Sequence, residues 1–172
     1  MNKKLYLVGG TMGVGKTTTC QILKRKLPNA VFLDGDWCWD SDPFQVTEET
    51  RAMVLDNICH LLNNFLHCSA YDHVIFGWVM HQQSIIDDLL SGLDTAACSV
   101  KCISLVVNES ALRARLQKDV DAGVRQSDVI DRSVARIPLY DALKGTKIDV
   151  SDISPEEAAE MIAERYKDEI KQ

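Results

Sequence analysis

The chain alternates short apolar runs with longer stretches whose apolar residues recur at helical spacing. Leu5 to Val8 is a continuous apolar run and predicts a first strand. Lys16 to Leu27 carries Cys20, Leu23 and Leu27 on one side, which predicts an amphipathic helix stopped by Pro28-Asn29. Val31-Phe32-Leu33 predicts a second strand, ending at Asp34. A helix opening at Thr47 places Val54, Leu55, Ile58, Leu61, Leu62 and Phe65 on its apolar stripe. Val74-Ile75-Phe76 is the third predicted strand, and Ile85, Ile86, Leu89, Leu90 and Leu93 mark the helix after it. Val100 to Val107 predicts the fourth strand, followed by a helix capped by Asn108 and bearing Leu112 and Leu116. Ser127 reads as the cap of a further helix from about Asp128, and a short strand is expected near Lys147 to Val150. Ser154-Pro155-Glu156-Glu157 is a capping box with proline at the first helical position, so a last helix begins there with Ala158, Ile162 and Tyr166 facing inward.

Apolar strands separated by helices predict an α/β fold, a five-stranded parallel sheet with helices on both faces. The 172 residues fit a single domain spanning 1–172. Ligands of such sheets bind beyond the carboxyl ends of the strands. That singles out Gly10 to Thr18, Asp34-Gly35-Asp36, Gly77-Trp78 and the residues from Asn108 onward.

The first of these segments carries the strongest chemical signal. Gly10-Thr11-Met12-Gly13-Val14-Gly15-Lys16-Thr17 spells GxxxxGK[ST], the P-loop, between a predicted strand and a predicted helix. The strand–loop–helix context predicts the P-loop NTPase fold. Its glycines let backbone N–H groups of Gly10, Met12, Gly13, Val14, Gly15 and Thr18 wrap a phosphate chain, with Lys16 on the β- and γ-phosphates and the Thr17 hydroxyl on Mg²⁺. ATP and Mg²⁺ are the expected cofactors. Asp34-Gly35-Asp36 would face the γ-phosphate, with Asp34 holding Mg²⁺ through water and Asp36 orienting or deprotonating an attacking hydroxyl. Arginines cluster between 113 and 136: Arg113, Arg115, Arg125, Arg132 and Arg136. A short lid over about 118–128 would bring Arg125 and Arg132 onto the phosphates and exclude water. Trp37, Trp39 and Trp78 follow the second and third strands, where indoles can stack on a sugar, a ring or a base.

Composition narrows the partners. A net charge of −6 argues against broad nucleic-acid or anionic-membrane binding. No apolar stretch is long enough to span a bilayer. Met1-Asn2-Lys3-Lys4 has the charge of a signal-peptide start, but the P-loop follows too soon for an h-region, so the chain reads as cytoplasmic. Six cysteines without a CxxC pair predict free thiols. The expected partner is a small-molecule acceptor, with the protein a monomer or homodimer.

The P-loop, the strand-end aspartates, the Leu112-x-x-x-Leu116 helix and the arginine-rich stretch together resemble the small P-loop kinases related to adenylate kinase. Phe32-Leu33-Asp34-Gly35-Asp36 is similar to the Asp-Gly-Asp segment of adenylylsulfate kinases, and to the segment where chloramphenicol phosphotransferase keeps its base. Arg136-Ile137-Pro138-Leu139-Tyr140, with the strand and Ser154 helix that follow, resembles the end of shikimate kinases, whose matching arginine holds the substrate carboxylate. The resemblance implies ATP-dependent transfer to a small molecule. It implies Arg136 on an acidic group of the acceptor. Arg113 is expected against the adenine, and Trp37, Gly77 and Trp78, which follow the second and third strands, are expected beside the acceptor. Phe76-Gly77-Trp78-Val79-Met80 departs from the glycine run of shikimate kinases, and Trp37-Cys38-Trp39 from the polar residue and arginine of adenylylsulfate kinases. A nucleoside or nucleotide kinase and a non-catalytic ATP-binding regulator are the alternatives. The Asn-Lys-x-Asp of GTPases is absent, and no strand ends in the Asp-Glu pair expected of AAA or ABC ATPases.

Overall fold

A computed structural model describes residues 3–167, so Met1 and Asn2 of the charged start lie outside the described residues. Five strands form one parallel sheet: β1 (Lys3–Gly9), β2 (Ala30–Asp34), β3 (His73–Trp78), β4 (Cys98–Val106) and β5 (Thr146–Asp149). Their order is β2-β3-β1-β4-β5. Six helices connect or follow them: α1 (Lys16–Lys26), α2 (Glu48–His67), α3 (Gln83–Ser91), α4 (Glu109–Asp121), α5 (Asp128–Val134) and α6 (Pro155–Arg165). The five-stranded parallel sheet with helices on both faces is therefore as expected. Two 3-10 turns, Gly35–Cys38 and Ile137–Tyr140, are additions to the predicted elements.

Alternation along β1 sorts the core into two layers. Tyr6 and Val8 face α1, α4, α5 and α6, with Leu23, Leu112, Leu116, Val129 and Ile162. Leu5 and Leu7 face α2 and α3, with Val54, Ile58, Leu62 and Leu89. Burial on both faces is why β1, β2 and β3 carry short unbroken apolar runs.

The helix ends follow local chemistry. Thr47 caps α2 through a reciprocal box with Thr50, and Ser154 caps α6 through one with Glu157, with Pro155 at the first helical position. Asn108 accepts from the Ala111 N–H at the start of α4. Ser127 differs from expectation: it precedes α5 in a helical conformation and its side chain makes no capping bond. A cap needs an extended backbone to turn its oxygen back onto the first turn, and Ser127 lacks one.

The register brings all five strand ends to one edge. Gly9 lies opposite Trp78 and Ser104, Asp34 opposite Gly77, and Val106 opposite Asp149. All six cysteines are free. Among the described residues, no helix is long and apolar enough to cross a membrane.

Leu23 has no solvent exposure and joins α1 to the larger core layer. Leu23→Ala is expected to destabilise the protein by about 2–5 kcal/mol, through lost transfer energy and the cavity left behind. Urea unfolding with an unchanged slope and a lowered midpoint is the expected reading.

Candidate functional site

The loop from Gly10 to Gly15 joins the end of β1 to α1. Gly13 adopts φ +80°, and a Cβ there would meet Leu116 of α4 at 2.4 Å. Both the backbone and the helix lying on it restrict that position to glycine. No side chain caps α1, whose first residue is Lys16. Its N-terminal N–H groups are thus free of side-chain acceptors and can meet an anion.

Lys16 donates through Nζ to the carbonyls of Gly10 at 2.8 Å and Thr11 at 3.0 Å. Burial pushes its pKa down to about 8, against the opposing pull of the Asp36 and Asp34 carboxylates. Thr17 donates from Oγ1 to Oδ2 of Asp34 at 2.6 Å. The other Asp34 oxygen accepts the Asp36 N–H at 3.1 Å and caps the turn over Gly35–Cys38. Asp36 is thereby presented beyond the end of β2. Burial first, and then the Asp34 charge, push its pKa up, while Lys16, the Trp78 indole and Arg125 pull it down.

These groups share a cavity of about 410 Å³. Met12, Gly13, Gly15, Lys16, Thr17 and Thr18 line it from the P-loop and α1, Asp34 and Asp36 from β2, and Val79 from beyond β3. Arg115, Lys118, Asp119 and Arg125 close the opposite side. Gly10 and Val14 form the loop behind this lining: the Gly10 carbonyl holds Lys16, and the Val14 carbonyl accepts from Arg115 at 3.3 Å. Arg115 also donates to the carbonyls of Val150 and Ser151 after β5. Arg125 pairs with Asp119 at 3.0 Å across the loop 122–127 that separates α4 from α5.

Other expected residues stand elsewhere. Arg113 is exposed and bound by Glu109 at 2.7 Å and Asp131 at 3.0 Å, outside the cavity lining. Arg132 is exposed beside Asp128 at 3.3 Å, also outside it. Trp37 is 57% exposed and packs edge-on against Phe32, with ring centroids 5.4 Å apart. Gly77 is buried within β3, beneath the Phe32 ring. Trp78 lies on Gly35, beside Asp36. Arg136 is half-buried, near His81 and Tyr140, and its guanidinium makes no hydrogen bond among the described residues.

Sequence reasoning gave Arg115 no particular role and missed Lys118 and Val79. Arg113 and Arg115 sit one step off the Leu112–Leu116 stripe on opposite sides, so periodicity could not choose between them.

The donor set can be tested against Mg²⁺ and a nucleotide. A hydroxyl and carboxylates are hard oxygen donors, which suit Mg²⁺. Among the described residues, no group of three or more His, Cys, Asp or Glu could hold a metal by itself.

A family described as an AAA domain matches residues 7–136, more than half of the chain. The chain belongs to this family. The missing Asp-Glu pair had set AAA ATPases aside, and that expectation is corrected at the level of family, although β3 of this AAA domain does end in Gly77-Trp78. No curated protein matches the sequence. Solved structures do. A sugar kinase from Janibacter sp. HTCC2649 superposes with a TM-score of 0.70 at 18% identity, covering 94% of this chain and 93% of that one. A gluconokinase from Sinorhizobium meliloti 1021 gives 0.65 at 17%, covering 96% and 97%. The Mycobacterium tuberculosis APS kinase in complex with AMPPNP and APS gives 0.65 at 15%, covering 96% and 98%. The AAA domain described here thus has the fold of the small P-loop kinases.

The burial of Lys16 is directly measurable. Trace acylation across pH, read by mass spectrometry, is expected to give Lys16 a midpoint near 8, well below that of exposed lysines.

Proposed function

We propose that this protein is an ATP-dependent phosphotransferase that moves the γ-phosphate to a hydroxyl of a small molecule. The observation that carries the reading is the meeting of Lys16, Thr17, Asp34 and Asp36 in one cavity at the carboxyl end of the sheet. The loop N–H groups and Lys16 hold the triphosphate. Thr17, with Asp34 through water, would hold Mg²⁺, and the ion would supply positive charge against the phosphates. Asp36 fixes the acceptor hydroxyl and takes its proton as the new P–O bond forms and the bond to ADP breaks. The raised pKa of Asp36 brings it closer to working pH, as a proton acceptor requires.

Arg125, held by Asp119 at the cavity wall, is the arginine best placed to move onto the transferring phosphoryl group. Arg115 takes the place expected of Arg113, and Arg132 leaves the clamp. Arg136, half-buried without an acceptor of its own, supports an acidic group on the acceptor.

Phosphorus NMR with Mg·ATP tests the reading against pooled nucleosides and nucleotides, sugars and hydroxy acids, and hydroxylated antibiotics. A new phosphoester that Lys16→Ala abolishes is the expected result. A signal in the nucleotide pool alone would make the protein a nucleotide kinase. ATP bound but intact in every pool would leave a regulatory ATP-binding protein. Asp36→Asn is expected to lower turnover by about 10²-fold or more with ATP affinity nearly intact. Full turnover in that variant would remove Asp36 from the chemistry. Lys16 is an ammonium below about pH 8 and neutral above it. Calorimetry should therefore show Mg·ATP affinity falling by about tenfold per pH unit above that point.

A further inference from the structure

The cavity wall opposite the P-loop is one face of α4. Lys118 and Asp119 lie three and four residues after Arg115, and all three line the cavity, while Leu112 and Leu116 point into the core. Asp119 is the one acid on that wall among the described residues. Asp121, two residues on, accepts from Gln117 at 2.8 Å outside the lining. The chain then reverses at Gly123, whose φ of +71° favours glycine although a Cβ there would meet nothing within 4 Å. It returns onto Asp119. The Asp119 carbonyl accepts the N–H groups of Val124 at 2.9 Å and Arg125 at 3.3 Å. The Asp119 carboxylate accepts from Nε of Arg125 at 3.0 Å. One residue thus holds both the backbone and the side chain of Arg125. Nη1 and Nη2 of that guanidinium make no hydrogen bond among the described residues.

We propose that Asp119 is a positioning residue that aims the guanidinium of Arg125 at the transferring phosphoryl group. The inference rests on the reading of Arg125 as the arginine that meets that group. A carboxylate on the wall of a cavity that takes a triphosphate opposes binding by its charge. A partly exposed ion pair adds little to folding, so stability does not account for its presence. Orientation does. A guanidinium is a rigid planar fork, and fixing Nε fixes the plane in which its two Nη groups donate. With Nε on Asp119, both Nη groups are open to two oxygens of one phosphoryl group. Arg115, the other guanidinium on this wall, already donates through its Nη groups to the carbonyls of Val14, Val150 and Ser151. Arg125 is therefore the one that can take a phosphoryl group two-handed without breaking a bond it already makes. Such prior alignment matters most in a transfer that leaves the protein little covalent chemistry to do.

Asp119→Ala removes the carboxylate and leaves the two bonds to the backbone carbonyl of that residue in place. With the acceptor found by phosphorus NMR, kcat is expected to fall about tenfold. Mg·ATP affinity should stay level or tighten by up to about threefold as the opposing charge goes, and the urea midpoint should not move. Asp119→Asn keeps an oxygen for Nε while losing the charge, so it should recover most of the lost turnover. In an Arg125→Ala background, Asp119→Ala should lower kcat no further. A parent-like kcat in Asp119→Ala, equal losses in the Ala and Asn variants, or a second full loss in the Arg125→Ala background overturns the proposal. A further readout needs no acceptor. The ¹⁵Nε–¹H resonance of Arg125, assigned by its loss in Arg125→Lys, should be protected from exchange with water in the Mg·AMPPNP complex and lose that protection in Asp119→Ala. Equal protection in the two proteins, or none in the parent, also overturns it. Full turnover in Arg125→Ala with the protection intact keeps the contact and sinks the phosphoryl role of Arg125, so the two failures are distinguishable.

Discussion

The hydrogen bond from Thr17 to Asp34 is the constraint on which the candidate site depends. It joins the first turn of α1 to the end of β2 at 2.6 Å, across the space where β3 lies between β2 and β1. The same carboxylate turns the backbone through Gly35–Cys38 by accepting the Asp36 N–H. One side chain therefore fixes both the hydroxyl below the phosphate-binding loop and the second carboxylate above it. A charge-assisted bond of this length is among the stronger single interactions available to a partly exposed group. Loosening it would let the acidic turn drift relative to the loop, although neither element would unfold.

Around that bond the charges are arranged in opposition. Two carboxylates face one buried ammonium, and Arg125 looks in from across the cavity while held by Asp119. Lys16 is eased toward losing its proton by burial, and Asp36 toward gaining one. Such a set suits a site that must accept several negative charges and later release them, because the ions do not lock into one closed pair.

The fold was largely legible because burial on both faces writes itself into β1, β2 and β3 as unbroken apolar runs, and into the helices as stripes. The capping boxes at Thr47 and Ser154 and the glycine-rich loop were legible for a related reason: each is local, and its partners lie within a few residues. What was hidden depends on rotation about a helix or on contacts across the sheet. Arg113 and Arg115 are equivalent by periodicity, and only the packing of α4 against the loop puts Arg115 on the cavity side. Arg132 stands exposed beside Asp128, a placement that helical spacing alone did not give. Trp37 looked like a pocket wall because it follows a strand, yet the 3-10 turn directs it toward Phe32 at the sheet's edge. Gly35 looked like an ordinary turn glycine, whereas its reason is an indole forty-odd residues away.

The strand order has a consequence for how the chain reaches this state. β1 is the first element, yet its partners are β3 and β4, so the centre of the sheet is closed by residues as far along as Val106. Until those segments arrive, the first strand has no neighbour and its apolar side chains no cover. Parallel pairing at such separations charges the loop-closure entropy before any contact returns it, which slows folding. On the ribosome, the loop that marks this protein most clearly would be made before the strands that flank it in the sheet, and would acquire its shape only after they arrive.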